Sequence, residues 1–534
     1  MWRRVVVGGP LVLLLALATL FALWDVAAPP LVREMLAGHG VPALDALLET
    51  HRRADPAYRD VAYYVRNGRT ALGQGIIAAT GLTLLAIALV RWRRVAQAMH
   101  AFFGATGPAL NLAVFRIVLF AVWLADVEMT PVAFYARLPR VLLDPPAGLG
   151  WFTAHVPTGP AVVETMLLVF RVACVLAVVG LFTRAATLVA LVSGAYANAV
   201  AQMTGALYAD HHLLWFAALL AASPCGDALS VDARRRAEPP PARAYALPLR
   251  FVWILFCVMY FFPGFWKVWR TGLAWVSADN VRDHMYLKWR EFGDWTPSLR
   301  IDHFPPLLWA SAIGTVAFEL GFAALALTSR LRPLVVAAGL LFHKTTWVLL
   351  RIHFWTLQAS YVAFVDWAAL LGRRAAGAAS TAIPWATAIV GTILVAGAVG
   401  TGTRLVPLSW PFTVYPTFAS IAQTTRPDLA VLVVDASGRE RAVDLLAANA
   451  RAREGFQRDR LRKVIDQILN LRDPVAQEAQ LRAFWPLMTD ADPSLRAASV
   501  VRFYRDENTT DPERRRENPL SRTPLLELPV SPAA

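Results

Sequence analysis

Cysteine is scarce: the chain has three in 534 residues, Cys174, Cys225 and Cys257. Each lies in or beside an apolar run and none forms a CxxC pair, so neither a disulfide framework nor a zinc site is supported. Charge is also thin, at 17% of residues against the roughly 25% of an ordinary soluble domain. The sequence holds no P-loop, GxSxG or HExxH, which removes the common nucleotide-binding, serine-hydrolase and zincin readings. It shows no internal repeat and no heptad pattern. The net charge of +14 does not point to nucleic acid, because the arginines cluster at the ends of apolar runs.

What is present is apolar: 57% of residues, with a mean hydropathy of +0.45. Apolar runs cover 5–23, 75–90, 111–125, 161–182, 186–201, 251–265, 306–328, 333–350, 354–371 and 383–400, and another opens at Tyr208-Ala-Asp-His211-His212. These predict about eleven membrane spans. The first run follows Met1-Trp-Arg-Arg and reads as a spanning helix, not a cleaved leader, with the N-terminus inside. Alternation then puts the basic clusters 91–94, Arg184, 234–236, 330–332 and 373–374 on the cytoplasmic side. Residues 29–70 read as a polar extracytoplasmic insert. Asp144-Pro-Pro-Ala-Gly-Leu-Gly-Trp151 reads as an outer loop, since it cannot be one helix.

From Trp410 onward the chain turns polar. Segments 429–434 and 441–443 flank Asp435-Ala-Ser-Gly438 as a β-hairpin, 444–471 and 474–488 read as helices, and 498–504 and 525–528 as strands. The expected fold is therefore an all-α polytopic membrane helical bundle with a small α+β extracytoplasmic C-terminal domain. Its parts are an N-terminal two-span extension (1–107), a main membrane domain (108–420) and the soluble domain (421–534).

Candidate chemistry gathers on ionisable residues inside apolar runs, where charge is costly. The run 251–265 ends in Tyr260-Phe-Phe-Pro-Gly-Phe-Trp-Lys267. Lys267 reads either as a snorkelling anchor between tryptophans or as a base in a wet cavity or beside a partner. His211 and His212 open a span at the same outer face. They have the composition of half a metal site, but no spaced partner on their helix supports a metal. His343 and Lys344 lie mid-run, Glu319 lies in a span, and Glu164 and Arg171, seven apart on one helix face, read as an intramembrane pair.

The segment Tyr260 to Lys267, an aromatic-Phe-x-x-Gly-x-x-Lys pattern followed by Trp, resembles the lysine segment of vitamin K-dependent gamma-carboxylases. It also resembles their bacterial relatives, the HTTM (horizontally transferred transmembrane) domain family. Asp210-His211-His212 leading to Leu229-Ser-Val-Asp232, Phe342-His343 with Ile352-His353-Phe354, and the loop 144–151 are similar to further segments of that family in the same order. The likeness covers about residues 108–420. It implies a bundle that binds a reduced vitamin K-type quinone (menaquinol-like) near the outer face. Lys267 would be the quinol base and His212, or its neighbour His211, would assist anion chemistry. His343, Trp266 and Phe265 would contact the cofactor. Oxygenation of the quinol would generate a strong base to abstract a proton from, or carboxylate, a secreted peptide or protein substrate. The chain departs from the carboxylases in two ways: Trp266 stands where they carry a second lysine, and its tail is far shorter than their luminal domain. The alternative is a non-catalytic membrane protein that binds lipid, quinone or a peptide partner. Either reading implies a lipid bilayer as partner, no nucleic acid and the bacterial inner membrane as location.

Overall fold

The computed structural model describes residues 2–39, 60–204, 210–293, 295–373, 377–404, 410–414, 418–452 and 461–530. In chain order the helices before the C-terminal domain are α1 (Trp2–Glu34), α2 (Val61–Val90), α3 (Trp92–Gly104), α4 (Ala109–Met129), α5 (Pro160–Val179), α6 (Thr183–Ala201) and α7 (His211–Ala221). They continue as α8 (Arg243–Thr271), α9 (Ala278–Arg290), α10 (Pro305–Leu327), α11 (Arg332–Leu350), α12 (Trp355–Ser360), α13 (Trp367–Leu370) and α14 (Trp385–Gly402). Among the described residues nine of them, α1, α2, α4, α5, α6, α8, α10, α11 and α14, are long and apolar enough to cross a membrane. The chain is thus a multi-pass bundle suited to a lipid bilayer. Residues 40–59 of the polar insert lie outside the described residues, and the described flanks of that insert continue α1 and begin α2.

Two segments read as spans take other forms. The α7 helix has 11 residues, about 16 Å of rise, short of the roughly 30 Å hydrocarbon core. Nine of those residues are buried, so it is a core helix and not a lipid-facing one. Segment 354–371 is broken into α12, a 3-10 turn (Tyr361–Phe364) and α13. Asp366 restarts the chain there by accepting from the Ala369 amide at 3.2 Å. Irregular backbone at this depth is tolerated because protein surrounds it: Trp253 Nε1 donates to the Ala363 carbonyl at 2.8 Å.

The expected Glu164–Arg171 pair does not form. Glu164 accepts from Arg137 at 3.1 Å, while Arg171 binds both carboxylate oxygens of Glu128 at 2.5 and 3.0 Å. Seven residues along a helix are about 10 Å, beyond ion-pair reach.

Hydrogen bonds between loops gather the helix ends into two groups. At one end Gly107 pairs with Ala242, the Arg243 amide donates to Ser380, Asn111 donates to Asp366, and Thr183 donates to Asp232. At the other, the Asp144 amide donates to Met203, Trp266 to Gly402 and Trp275 to Phe418.

Arg116, wholly buried in α4, pins the first end by donating to the carbonyls of Cys225 and Leu229 at 2.7 and 2.6 Å. Arg116→Leu is expected to lower stability by about 3 kcal/mol, since two carbonyls lose charge-assisted partners in a dry site. A thermal melt in detergent measures it.

The C-terminal domain is a four-stranded antiparallel sheet in the order β2-β1-β3-β4. Its strands are β1 (Thr425–Asp435), β2 (Glu440–Ala442), β3 (Ala498–Thr509) and β4 (Ser521–Pro529). The β1–β2 hairpin pairs Leu432 with Ala442 as its turn chemistry predicts. Helices Leu445–Ala452, Leu461–Asn470 and Pro474–Ala491 connect β2 to β3. The domain sits on the second end of the bundle. Gln480 donates to the Val141 carbonyl at 2.9 Å, Arg290 pairs with Asp428 at 2.9 Å, and Glu291 gathers Lys288, Arg426 and Arg462.

Candidate functional site

The helix α8 runs on past Lys267 and stops at Thr271, where Gly272 takes the left-handed conformation (φ 55°) that closes helix C-termini. Tyr260, Pro263, Gly264, Lys267 and Thr271 recur at helical spacing and form one face. A Cβ on Gly264 would lie 2.8 Å from the Glu319 Cβ, so glycine lets α8 and α10 touch at this level. That approach delivers Glu319 to Lys267. The ammonium donates to both carboxylate oxygens, at 2.8 and 3.0 Å, and both side chains are buried. Lys267 therefore does not snorkel to water. The Thr271 hydroxyl donates to the Lys267 carbonyl at 2.7 Å and accepts from the Trp275 amide at 3.0 Å, fixing the turn that lays the Trp275 ring 5.5 Å from the ammonium.

Lys267 and Glu319 line a partly enclosed cavity. Its walls are largely apolar, with Met259, Met285, Phe342, Phe354, Leu357 and Phe418 among them. Two histidines also line it. His343 Nε2 lies 2.5 Å from the Tyr260 hydroxyl, which lies 2.7 Å from that of Tyr361. His284 Nε2 donates to the Ser420 carbonyl at 3.0 Å, which leaves its Nδ1 as a lone pair. Neither His284 Nδ1 nor His343 Nδ1 has a hydrogen-bond partner among the described residues. Both nitrogens are buried, and the two residues that carry them line the apolar cavity. The strap 418–422 closes this side, held by Trp275, His284 and Asn280 of the α9 region.

The other expected site residues lie elsewhere. Phe265 and Trp266 precede Lys267 by two residues and one, so at about 100° per residue their side chains turn away from the cavity. Trp266 Nε1 donates to the Gly402 carbonyl at 2.7 Å, and Phe265 stacks on Phe261 and Trp269. His211 is buried with Nε2 3.1 Å from Gln202 Nε2. His212 is buried against Phe216, within electrostatic reach of His343, and is not among the residues that line the cavity. Lys344 is exposed with its ammonium over Trp347. Among the described residues no three His, Cys, Asp or Glu side chains converge as metal ligands.

Sequence reasoning missed His284, Tyr361 and Phe418. The signal for His284 was available: Val281, Met285 and Trp289 mark the inward face of α9, and His284 adjoins it. Burial holds the His284 imidazole down to about 4, aided by the nearby Lys267 charge and opposed by the Ser420 contact. The folded value lies below the ordinary 6.5, so this contribution to stability is complete above pH 6.5 and is lost as pH falls toward 4. The loss should reach about 3 kcal/mol. His284→Phe is expected to remove that acid limb in a pH series of thermal melts.

Compared with protein-family models, curated proteins and solved structures, the chain matches none.

Proposed function

We propose that this chain is a membrane enzyme of the HTTM and gamma-carboxylase type that oxygenates a reduced naphthoquinone in the Lys267 cavity. One observation supports the reading: a buried Lys–Glu pair and two histidines, whose Nδ1 atoms have no hydrogen-bond partner among the described residues, line one apolar cavity. That lining fits a flat, apolar ring with oxygens on its edge. The quinol supplies two hydrogens and a ring that takes one oxygen atom from dioxygen, the second oxygen leaving as water.

The chain's part is to bind and to move protons. Lys267 can accept a ligand proton once its own has passed to Glu319, 2.8 Å away; the resulting neutral pair avoids the desolvation cost of two charges. His284 Nδ1 accepts from a ligand hydroxyl, and His343, backed by Tyr260 and Tyr361, supplies a proton path at another point of the wall. His212 stands behind His343 as a secondary group. Proton abstraction from, or carboxylation of, a secreted peptide or protein would follow at the same end, where the C-terminal domain sits.

The orientation in this reading follows the basic residues. Arg91, Arg93, Arg94, Arg184, the cluster 234–236, Arg330, Arg332 and Arg373 fall at the bundle end away from Lys267, so that end is cytoplasmic. The cavity and the C-terminal domain are then extracytoplasmic. In this reading the chain also passes between the two ends through α7 with the turns after it and through the broken segment 354–371, which makes about eleven passes in a bacterial inner membrane. A second reading, a binding protein without chemistry, draws support from the full pairing of Lys267 with Glu319.

An azido-naphthoquinone photoprobe tests the binding half. Labelling is expected on peptides carrying Trp275, His284, Met285 and Phe418, and competition by a menaquinone analogue should remove it. Labelling confined to lipid-facing positions such as Leu168 or Leu341 would refute it.

A further inference from the structure

At the bundle end opposite Lys267 two arginines share one indole. The Arg250 and Arg332 guanidinium carbons lie 4.2 and 4.0 Å from the Trp253 ring centroid, and Arg250 also stands 5.0 Å from Phe102. Both side chains are half-buried and near enough to repel one another. Among the described residues neither forms an ion pair; Arg332 Nε donates only to the Ala326 carbonyl at 3.1 Å. Three acids at this end are engaged elsewhere, and Glu238 is exposed and forms no ion pair with either arginine among the described residues. Asp227 accepts from Tyr245, Asp232 from Phe182 and Thr183, and Asp366 from Asn111 and Ala369. Two desolvated like charges without a protein counter-charge call for an anion from outside.

The surroundings say what carries that anion. Phe102 and Phe103 belong to α3, an amphipathic helix with no buried residue, basic at its start and with Trp92 and Met99 exposed. Such a helix lies in the plane of a membrane surface. Beyond Arg332, Leu334 and Leu341 of α11 present exposed apolar surface. A phosphate with acyl chains attached meets both the guanidiniums and that surface. A free phosphate uses only the first.

We propose that Arg250 and Arg332, sharing the Trp253 ring, bind the headgroup phosphate of an anionic phospholipid. The test is thermal stability of the delipidated full chain in detergent, titrated with short-chain phosphatidylglycerol, short-chain phosphatidylcholine or inorganic phosphate. Phosphatidylglycerol is expected to raise the melting temperature saturably and the other two to have little effect. In Arg250→Gln/Arg332→Gln the apparent affinity for phosphatidylglycerol should fall roughly 25-fold. Equal shifts with both lipids, a full shift with inorganic phosphate, or an unchanged affinity in the variant would each overturn the proposal. If the double variant does not melt cooperatively, Arg332→Lys serves. It keeps the charge but loses the planar fork, so a several-fold weaker affinity supports the site and an unchanged one refutes it.

Discussion

Replacing Lys267 with methionine is expected to cut the proposed quinol turnover by roughly 10²–10⁴-fold, the usual reach of a positioned proton acceptor. It is also expected to cost about 3–5 kcal/mol of stability, because Glu319 is left buried without its counter-charge. These effects separate in a companion variant. Lys267→Met/Glu319→Leu removes both charges and fills the space with apolar atoms, so melting should recover most of the way to the parent while turnover stays lost. Thermal melts in detergent and turnover by chromatography read the two quantities. A double variant as unstable as the single one would show that the ion pair is not the source of the loss. A double variant that regains turnover would remove Lys267 from the chemistry.

Gly264→Val acts on the same pair without touching a charge. The new Cβ would lie 2.8 Å from the Glu319 Cβ and 3.2 Å from the Leu320 side chain. Neither Cβ can swing away, since each is fixed to its backbone, so α8 and α10 must separate. Overpacking of this kind costs about 1–3 kcal/mol. The larger effect should fall on function. Moving Glu319 by about 1 Å lengthens its contact with Lys267, and misplacement on that scale can cost roughly 10²-fold in rate. Gly314→Val on α10 is the control, because nothing lies within 4 Å of the added Cβ there; it should leave melting and turnover near the parent values. Equal losses in both variants would mean that valine weakens the helix generally, and that the close approach at Gly264 has no special part.

Much of the fold is legible along the chain because a bilayer imposes one rule on every segment: backbone polar groups must be satisfied within it. Among the described residues nine long apolar runs became long helices, and the C-terminal hairpin fell where its turn residues placed it. The failures have a common cause, which is that pattern does not reveal partners. Most of the run 354–371 is apolar because protein covers it, with Leu370 and Leu371 exposed at its end, so its broken form could not be told from a span. Glu164 and Arg171 looked like a pair on a helical wheel, but Arg137 and Glu128 were nearer.

The site divides in the same way. The Lys267 segment drew attention through a charge set among aromatics, and Glu319 through its place in a span. Their contact across 52 positions depends on Gly264, whose role appears only when α10 packs on α8. Phe265 and Trp266 were chosen by adjacency in sequence, which on a helix means a turn of about 100° per residue. His284 lay hidden in a helix that reads as interfacial and polar. Its place on the cavity depends on the strap from Phe418 to Ala422, more than 130 residues away.

The most direct measurement is oxygen-dependent conversion of a reduced menaquinone analogue by the purified full chain in detergent, beside Lys267→Met/Glu319→Leu, with the product identified by mass spectrometry. The account predicts slow formation of the quinone epoxide with one oxygen atom from labelled dioxygen, and its loss in the folded double variant. A folded parent protein that binds the analogue at the Trp275 and His284 wall yet forms no epoxide, or an equal yield from the double variant, would contradict it.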